Sequence, residues 1–189
     1  MKKILALAIL GISLWGCSGS NQKEANKAGD QAKDQNTVVI SNDLENALSV
    51  IPSWSNEKTV VKMEGAPAHS GQYVTLVDDK FVYSYAFREF IDNIDQRIPK
   101  KVTVKGWVYS TVASPDLSII MDISENNSPI DWKAYSLTST VKEANSWIPF
   151  KANFNIDKPI QSSNLIKLFA WNPGKKAAYL DDFEVTFEY

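Results

Sequence analysis

From about residue 38 to its end, the chain is a succession of short strand-like segments separated by residues that favour turns. The turn-forming runs include Ser114-Pro115-Asp116 and Asn172-Pro173-Gly174. No stretch keeps the 3.6-residue period of an amphipathic helix for long. Short strands at this spacing predict an all-β domain, folded as a β-sandwich or a barrel. The predicted strands are 59–64, 72–77, 81–87, 101–111, 117–123, 132–137, 147–156, 164–171 and 178–188.

Alternation within these segments predicts which side chains face the core, because successive residues of a strand point to opposite faces. An apolar face next to a polar one marks the buried side of a strand. The predicted inward residues are Val102, Val104 and Val108, then Ile166, Leu168 and Ala170, and in the last strand Tyr179, Phe183, Val185 and Phe187. Trp147, which is followed by Ile148-Pro149-Phe150, is also expected in the core.

The N-terminus has the layout of an export signal. Lys2-Lys3 precede an apolar stretch, 4–15, and Gly16 stands just before Cys17. About 20 apolar residues are needed to cross a bilayer, so this stretch is too short to remain as a span. Cys17 is the single cysteine of the 189 residues and lies where a lipoprotein signal peptidase cleaves. We expect a signal peptide over 1–16 and a lipid anchor on Cys17 in the bacterial outer membrane; a free thiol at this place is the alternative.

A polar tether follows the cysteine. Residues 18–36 contain no aromatic and no β-branched residue, and their charges alternate in sign. Such a segment buries too little apolar surface to offset the entropy of ordering. We therefore expect a disordered tether over 17–36 and one domain over 37–189. The net charge of −2 gives no basic footprint, so nucleic acid is not an expected partner.

Several motifs together resemble a known family. They are Asn42-Asp43-Leu44-Glu45, Ala68-His69-Ser70-Gly71-Gln72-Tyr73, Gly106-Trp107-Val108-Tyr109, the Trp147 strand and Tyr179-Leu180-Asp181-Asp182-Phe183-Glu184-Val185. Over about residues 40–189 the chain resembles the galactose-binding-like jelly-roll carbohydrate-binding modules of the xylan- and glucan-binding type. The resemblance implies a jelly-roll β-sandwich, and it implies that His69 has a structural role in the turn before a strand.

The resemblance also implies a structural calcium site. In the family this site uses an acidic side chain near the domain start, an Asp of the final strand and backbone carbonyls. Glu45 and either Asp181 or Asp182 occupy the corresponding places. Calcium requires six to eight hard oxygen ligands, which two carboxylates and loop carbonyls could supply. The alternative is that Asp182 only ends a strand and that Glu45 is solvated.

A sugar-binding surface is the second expected site. The C–H faces of pyranose rings pack on flat aromatic rings, and the hydroxyls at their rims need polar partners, among which Lys105 and Lys167 are candidates. Any of the tryptophans could instead fill the sandwich if its face is assigned wrongly. The candidate sugar-binding residues are Trp107, Tyr109, Phe169, Trp171, Tyr83, Tyr85, Trp132 and Tyr135.

Catalysis is not expected. His69 is the single histidine, and no G-x-S-x-G motif is present, so neither a nucleophilic triad nor a His/Cys zinc site is supported. Glycoside hydrolysis needs only two carboxylates, but the pairs Asp122/Glu125 and Asp181/Asp182 do not converge from neighbouring strand positions. The sequence therefore favours a membrane-anchored glycan-binding lipoprotein that binds a polysaccharide or oligosaccharide. The alternative is a structural or protein-interaction subunit of an outer-membrane or cell-surface complex.

Overall fold

The computed structural model of the protein describes residues 36–49 and 51–189. The predicted signal peptide, the lipidation site Cys17 and nearly all of the predicted tether lie outside these residues. Within them, no helix is long and apolar enough to cross a membrane.

The described residues form two antiparallel sheets, which confirms the predicted all-β sandwich. Sheet A has the order β3-β4-β11-β6-β9, and its strand β1 also pairs with β11; its members are β1 (Thr37–Asn42), β3 (Val60–Lys62), β4 (Tyr73–Val77), β6 (Lys101–Ser110), β9 (Trp147–Asn155) and β11 (Ala178–Glu188). Sheet B has the order β2-β5-β10-β7-β8; its members are β2 (Trp54–Ser55), β5 (Ala86–Phe90), β7 (Ser118–Glu125), β8 (Ser128–Ser136) and β10 (Leu165–Trp171). Helical structure in residues 36–49 and 51–189 is limited to one 3-10 turn, Glu57–Thr59, and one α-helical turn, α1 (Ile91–Ile94).

The core lies between the inward faces of the two sheets. The valine face of β6 and the Ile166, Leu168 and Ala170 face of β10 are buried, as the alternation predicts. Trp54 of sheet B joins the two layers, because its ring stacks on Tyr85, just before β5, at 5.6 Å and approaches Phe183 of sheet A at 6.0 Å. Strand β2, which carries Trp54, is too short to be recognised by its alternation.

Strand β11 is the centre of sheet A, and a β-bulge divides it. Its first residues pair with β4 and its last with β1, while β6 pairs along the other side. The register with β6 shifts between Asp181 and Glu184, and Asp182 has a φ of 51°. A bulge inserts one extra residue and so reverses the alternation on its two sides. The inward prediction for Tyr179 is therefore wrong: Tyr179 lies on the outer face of sheet A, with its ring 6.1 Å from that of Tyr109.

Trp147 also differs from expectation. It pairs with Tyr109 across β6 and β9 and is half-buried on the outer face of sheet A rather than in the core. Its indole Nε1 donates to the Pro67 carbonyl at 3.0 Å. The apolar residues that follow it on β9 are the ones that reach the core, notably Phe150 and Phe154.

Candidate functional site

The structure divides the eight candidate aromatic residues into three groups. Four of them lie together on the outer face of sheet B: Tyr83, Trp132, Phe169 and Trp171. Trp107 and Tyr109 lie on the outer face of sheet A, on the opposite side of the domain. The remaining two point inward. Tyr85 is 1% exposed, so the prediction of a sugar contact is wrong for this residue. Tyr135 is partly buried against the core, and its contact with a sugar stays a prediction.

Strand register explains the group on sheet B. On β10, Phe169 and Trp171 alternate with the buried Leu168 and Ala170, so both point outward. Tyr83 reaches Trp171 through an isolated β-bridge, although β5 begins only at residue 86. The Asn56 side chain fixes the 83–84 segment by donating to the carbonyls of Tyr83 and Ser84, at 3.0 and 2.9 Å.

The rings on this face are arranged as edge-to-face pairs. Tyr83 and Phe169 are 5.6 Å apart with an angle of 79°, and Trp132 and Trp171 are 6.1 Å apart with an angle of 75°. Tyr83 is 53% exposed and Trp132 is 50% exposed. Half-exposed aromatic rings on the solvent side of a sheet leave apolar surface available to a ligand.

A cavity of about 260 Å³ lies next to these rings. Its polar part is an ion pair between β10 and β7, in which Lys167 Nζ donates to Asp122 Oδ2 at 3.0 Å. The other carboxylate oxygen, Asp122 Oδ1, is buried and has no donor among the described residues. A buried acceptor without a donor costs about 1–3 kcal/mol and calls for a partner such as a water molecule or a ligand hydroxyl. The cavity is lined by Asn56, Tyr83, Ser84, Ala86, Asp122, Lys167 and Phe169.

Sequence reasoning identified Lys167 as a polar neighbour of the aromatic residues, but it did not place Asp122 or Asn56 in this site. Asp122 and Lys167 face each other only because β7 and β10 pair in one particular register. The local sequence does not predict this register, since Asp122 and Lys167 lie 45 positions apart.

On sheet A, the predicted sugar contact Trp107 is covered by another ring. The imidazole of His69 stacks on the indole at 3.8 Å with an angle of 17°, and Trp147 meets the imidazole edge-on. His69 Nδ1 is 2.6 Å from Asp182 Oδ2, and Ser70 Oγ donates to Asp182 Oδ1 at 2.6 Å. Asp182 anchors the 69–73 loop, because its two carboxylate oxygens contact His69 and Ser70. The stacked His69 ring closes one face of Trp107 to a sugar ring.

Two further carboxylates hold the same loop from distant parts of the chain. Glu45 Oε1 accepts the backbone N–H groups of Gln72 and Tyr73, at 2.7 and 2.9 Å. Asp181 Oδ2 accepts the backbone N–H of Ser70 at 3.1 Å. Asp181 is fully buried, and burial raises the pKa of its carboxyl to about 6.

Glu45 and Asp181 offer oxygen ligands, which would suit calcium rather than a softer metal. Within the described part of the chain, no three His, Cys, Asp or Glu side chains converge as a ready-made metal cluster. Glu45 and Asp181 nevertheless reach one short loop, and Glu45 Oε2 has no donor among the described residues. Asp181 also has no lysine or arginine partner there, and a buried carboxylate is normally paired or bound to a metal. Carboxylate oxygens are the ligands that calcium binds, and the loop itself contacts these carboxylates through its backbone N–H groups.

The comparisons with known proteins are informative for the fold. No protein-family model matches the sequence, and no curated protein matches it either. Among solved structures, the N-terminal CBM22-1–CBM22-2 tandem domain of Xyn10C from Paenibacillus barcinonensis superposes with a TM-score of 0.51 at 12% identity, covering 83% of this chain and 47% of that one. The CBM22-1 xylan-binding domain of the same protein gives a TM-score of 0.49 at 14% identity, covering 79% of this chain and 93% of that one. The similarity to the tandem domain shows that the domain has a jelly-roll β-sandwich fold.

Proposed function

We propose that this protein is a glycan-binding lipoprotein without catalytic activity, and that the outer face of sheet B is its binding surface. The observation that carries the proposal is the cavity in which the Lys167–Asp122 pair lies beside the rings of Tyr83 and Phe169. Apolar surface next to a few fixed polar groups is the usual composition of a small-molecule site.

Each part of a sugar has a partner in this arrangement. The C–H face of a pyranose ring packs on Tyr83, whose ring is half-exposed. Lys167 donates hydrogen bonds to a hydroxyl or ring oxygen, since an ammonium group has three donors and only one is used by Asp122. A second hydroxyl donates to Asp122 Oδ1 after a small rotation of the carboxylate, which removes the cost of the unpaired acceptor.

We propose no catalysis because the side chains that could act as acid or base are already engaged by other residues. His69 is the single histidine of the sequence, and its Nδ1 and ring face are engaged by Asp182 and Trp107. Of the carboxylates on the sheet B face, Asp122 is paired with Lys167. The jelly-roll fold shared with the Xyn10C tandem module supports a binding role for such a face.

A glycan array probed with the purified full-length protein in detergent tests the proposal. We expect retention on at least one polysaccharide, and we expect Tyr83→Ala to weaken it by about 1–3 kcal/mol, as the loss of a central aromatic contact does. Tyr109→Ala is the matched control, because Tyr109 is the same residue type on the other sheet. Equal losses in the two variants, at unchanged melting temperature, would place the binding surface elsewhere, and no retention on any glycan would contradict the function.

A protein-interaction subunit is the second candidate. Phe90, Tyr83 and Trp132, all about half exposed, lie on the same face, and such aromatic residues also form the centres of protein interfaces. The glycan array separates the two functions, because a protein-binding face without sugar affinity gives no retention on any polysaccharide.

The lipid anchor is part of the proposal and rests on Cys17 and the segment before it. We expect Cys17→Ser to move the protein from the membrane fraction to the soluble fraction, or to leave the precursor uncleaved, because the serine cannot be lipidated. Membrane fractionation and intact-mass measurement check this. A Cys17→Ser protein that stays in the membrane fraction with a lipid mass would contradict the anchor.

A structural calcium ion is the last part of the proposal. Glu45 and Asp181 would bind it together with carbonyls of the 69–73 loop, and Asp182 would act beside it as the anchor of His69 and Ser70. When bound, the ion supplies the positive charge that the buried Asp181 carboxylate lacks. It would fix the loop between β3 and β4 on the edge of the sandwich.

A further inference from the structure

A second cavity lies on the outer face of sheet B, on the other side of the Lys167–Asp122 pair. It has a volume of about 290 Å³ and includes Leu165 of β10 and Ser124 of β7, which are cross-strand partners. Ser124 Oγ is buried and has no hydrogen-bond partner among the described residues. The end of β5 closes the cavity with Arg88 and Phe90.

The two cavities lie along one line. Phe169, Lys167 and Leu165 are successive outward residues of β10, and outward neighbours on a strand are about 7 Å apart. From Trp171 to Leu165 the outward row therefore extends for about 20 Å. Each cavity is lined by a residue with a buried polar atom that has no partner among the described residues: Asp122, through Oδ1, in the first and Ser124, through Oγ, in the second. This length and this spacing suit several consecutive sugar units rather than one.

The charge along this line is positive. A third cavity of about 190 Å³ shares Asn56 and Tyr83 with the first and adds Lys58 and Lys80. The three cavities are lined by four basic residues and two acidic ones, and one of those acids, Asp122, is already paired with Lys167. The whole chain has a net charge of −2, whereas basic residues outnumber acidic ones in the lining of these three cavities. By contrast, a cavity of about 370 Å³ beside β11 is lined by Asp43, Asp182 and Glu184 and by no basic residue.

Arg88 is the arginine among the basic residues that line the three cavities. It is exposed, its register partner on β10 is Lys167, and its guanidinium makes no hydrogen bond or ion pair within the described residues. The carboxylate of its chain neighbour Glu89 accepts hydrogen bonds from Ser53 and Asn93, and it also attracts Arg88 electrostatically. Glu125 lines the same cavity as Arg88 and forms no ion pair with it within the described residues. A guanidinium group binds carboxylate and sulfate oxygens with two parallel hydrogen bonds.

We infer that the ligand of this face is an anionic polysaccharide, whose carboxylate or sulfate group is bound by Arg88 next to Lys167. The inference rests on the proposed function and specifies its substrate class. A neutral glycan would use the aromatic rings and the Asp122 acceptor but would leave the guanidinium of Arg88 without a partner.

Binding measured on matched polymers tests the inference. The full-length protein in detergent is run by affinity electrophoresis in about 0.15 M salt, where screening limits non-specific attraction. The carboxylate arm compares polygalacturonate with its carboxyl-reduced form, and the sulfate arm compares fucoidan with its desulfated form. We expect retention at least about tenfold stronger on the anionic member of one pair, and the pair that responds identifies the anion.

Two variants assign the effect to Arg88. Arg88→Gln is expected to remove most of the preference for the anionic polymer, whereas Lys151→Gln, which removes the same charge from the exposed edge of sheet A, is expected to keep it. Equal retention on charged and neutral members of both pairs overturns the inference and leaves the proposed function standing. Equal loss in the two variants also overturns it, because the attraction is then non-specific. Absence of binding to every polymer, in these pairs and on the glycan array, overturns the proposed function itself.

Discussion

Replacing Gly71 by alanine is expected to lower the free energy of unfolding by about 2–4 kcal/mol. Gly71 has a φ of +54°, a left-handed conformation that an alanine adopts only at a cost of about 1 kcal/mol. A Cβ added there would lie 2.2 Å from the Glu45 carboxylate, so that side chain has to swing away. Glu45 then loses its hydrogen bonds from the backbone N–H groups of Gln72 and Tyr73. This loss accounts for the rest of the decrease in the free energy of unfolding.

Gly65 provides a matched control for this prediction. It has a φ of +79°, but nothing lies within 4 Å of the position that its Cβ would occupy. Gly65→Ala is therefore expected to cost only the conformational part, about 1 kcal/mol. Urea unfolding followed by circular dichroism measures both variants. If the two substitutions cost the same, the Glu45 carboxylate does not hold the 69–73 loop.

The fold could be predicted from the sequence where alternation is regular. The buried faces of β6 and β10 were predicted correctly because each strand keeps one apolar side along its whole length. The prediction failed at Tyr179 because the bulge at Asp181–Asp182 reverses the alternation. Two acidic residues inside a strand do not by themselves predict a bulge. Strands β1 and β2 were not predicted. Each depends on pairing with a distant strand rather than on its own pattern.

The candidate site could be predicted only by residue type. The aromatic residues Tyr83, Trp132, Phe169 and Trp171 of the sheet B face come from three separated parts of the chain, and pairing between strands brings them together. Tyr83 and Tyr85 have the same local pattern, yet the first lies outside and the second fills the core beside Trp54. The predicted strand 81–87 would place both tyrosines on one face, but β5 begins only at Ala86 and Tyr83 makes only an isolated bridge, so the segment before β5 does not keep the alternation of a strand.

Removal of calcium is expected to lower the melting temperature of the purified protein. A site occupied at about 100 times its dissociation constant contributes about 2.7 kcal/mol to the free energy of unfolding. Asp181→Ala is expected to abolish the effect of the chelator, because it deletes the buried ligand. Asp182→Ala is the matched control: it removes the anchor of His69 and Ser70 and lowers stability, but the chelator is still expected to act on it.

The pH dependence of the protein's stability provides a second test of the calcium site. Without a metal, burial raises the pKa of Asp181 from 3.8 to about 6, so the folded state favours the protonated carboxyl. Between about pH 4 and 6 this group then binds more protons in the folded state than in the unfolded one, and its contribution to stability falls as the pH rises. A bound calcium ion requires the carboxylate and reverses that trend. We therefore expect the chelator to lower the melting temperature strongly at pH 7.5 and only slightly at pH 4.5. A melting temperature that the chelator leaves unchanged at pH 7.5 would contradict the calcium site. Glu45 and Asp181 would then act only as hydrogen-bond acceptors for the loop.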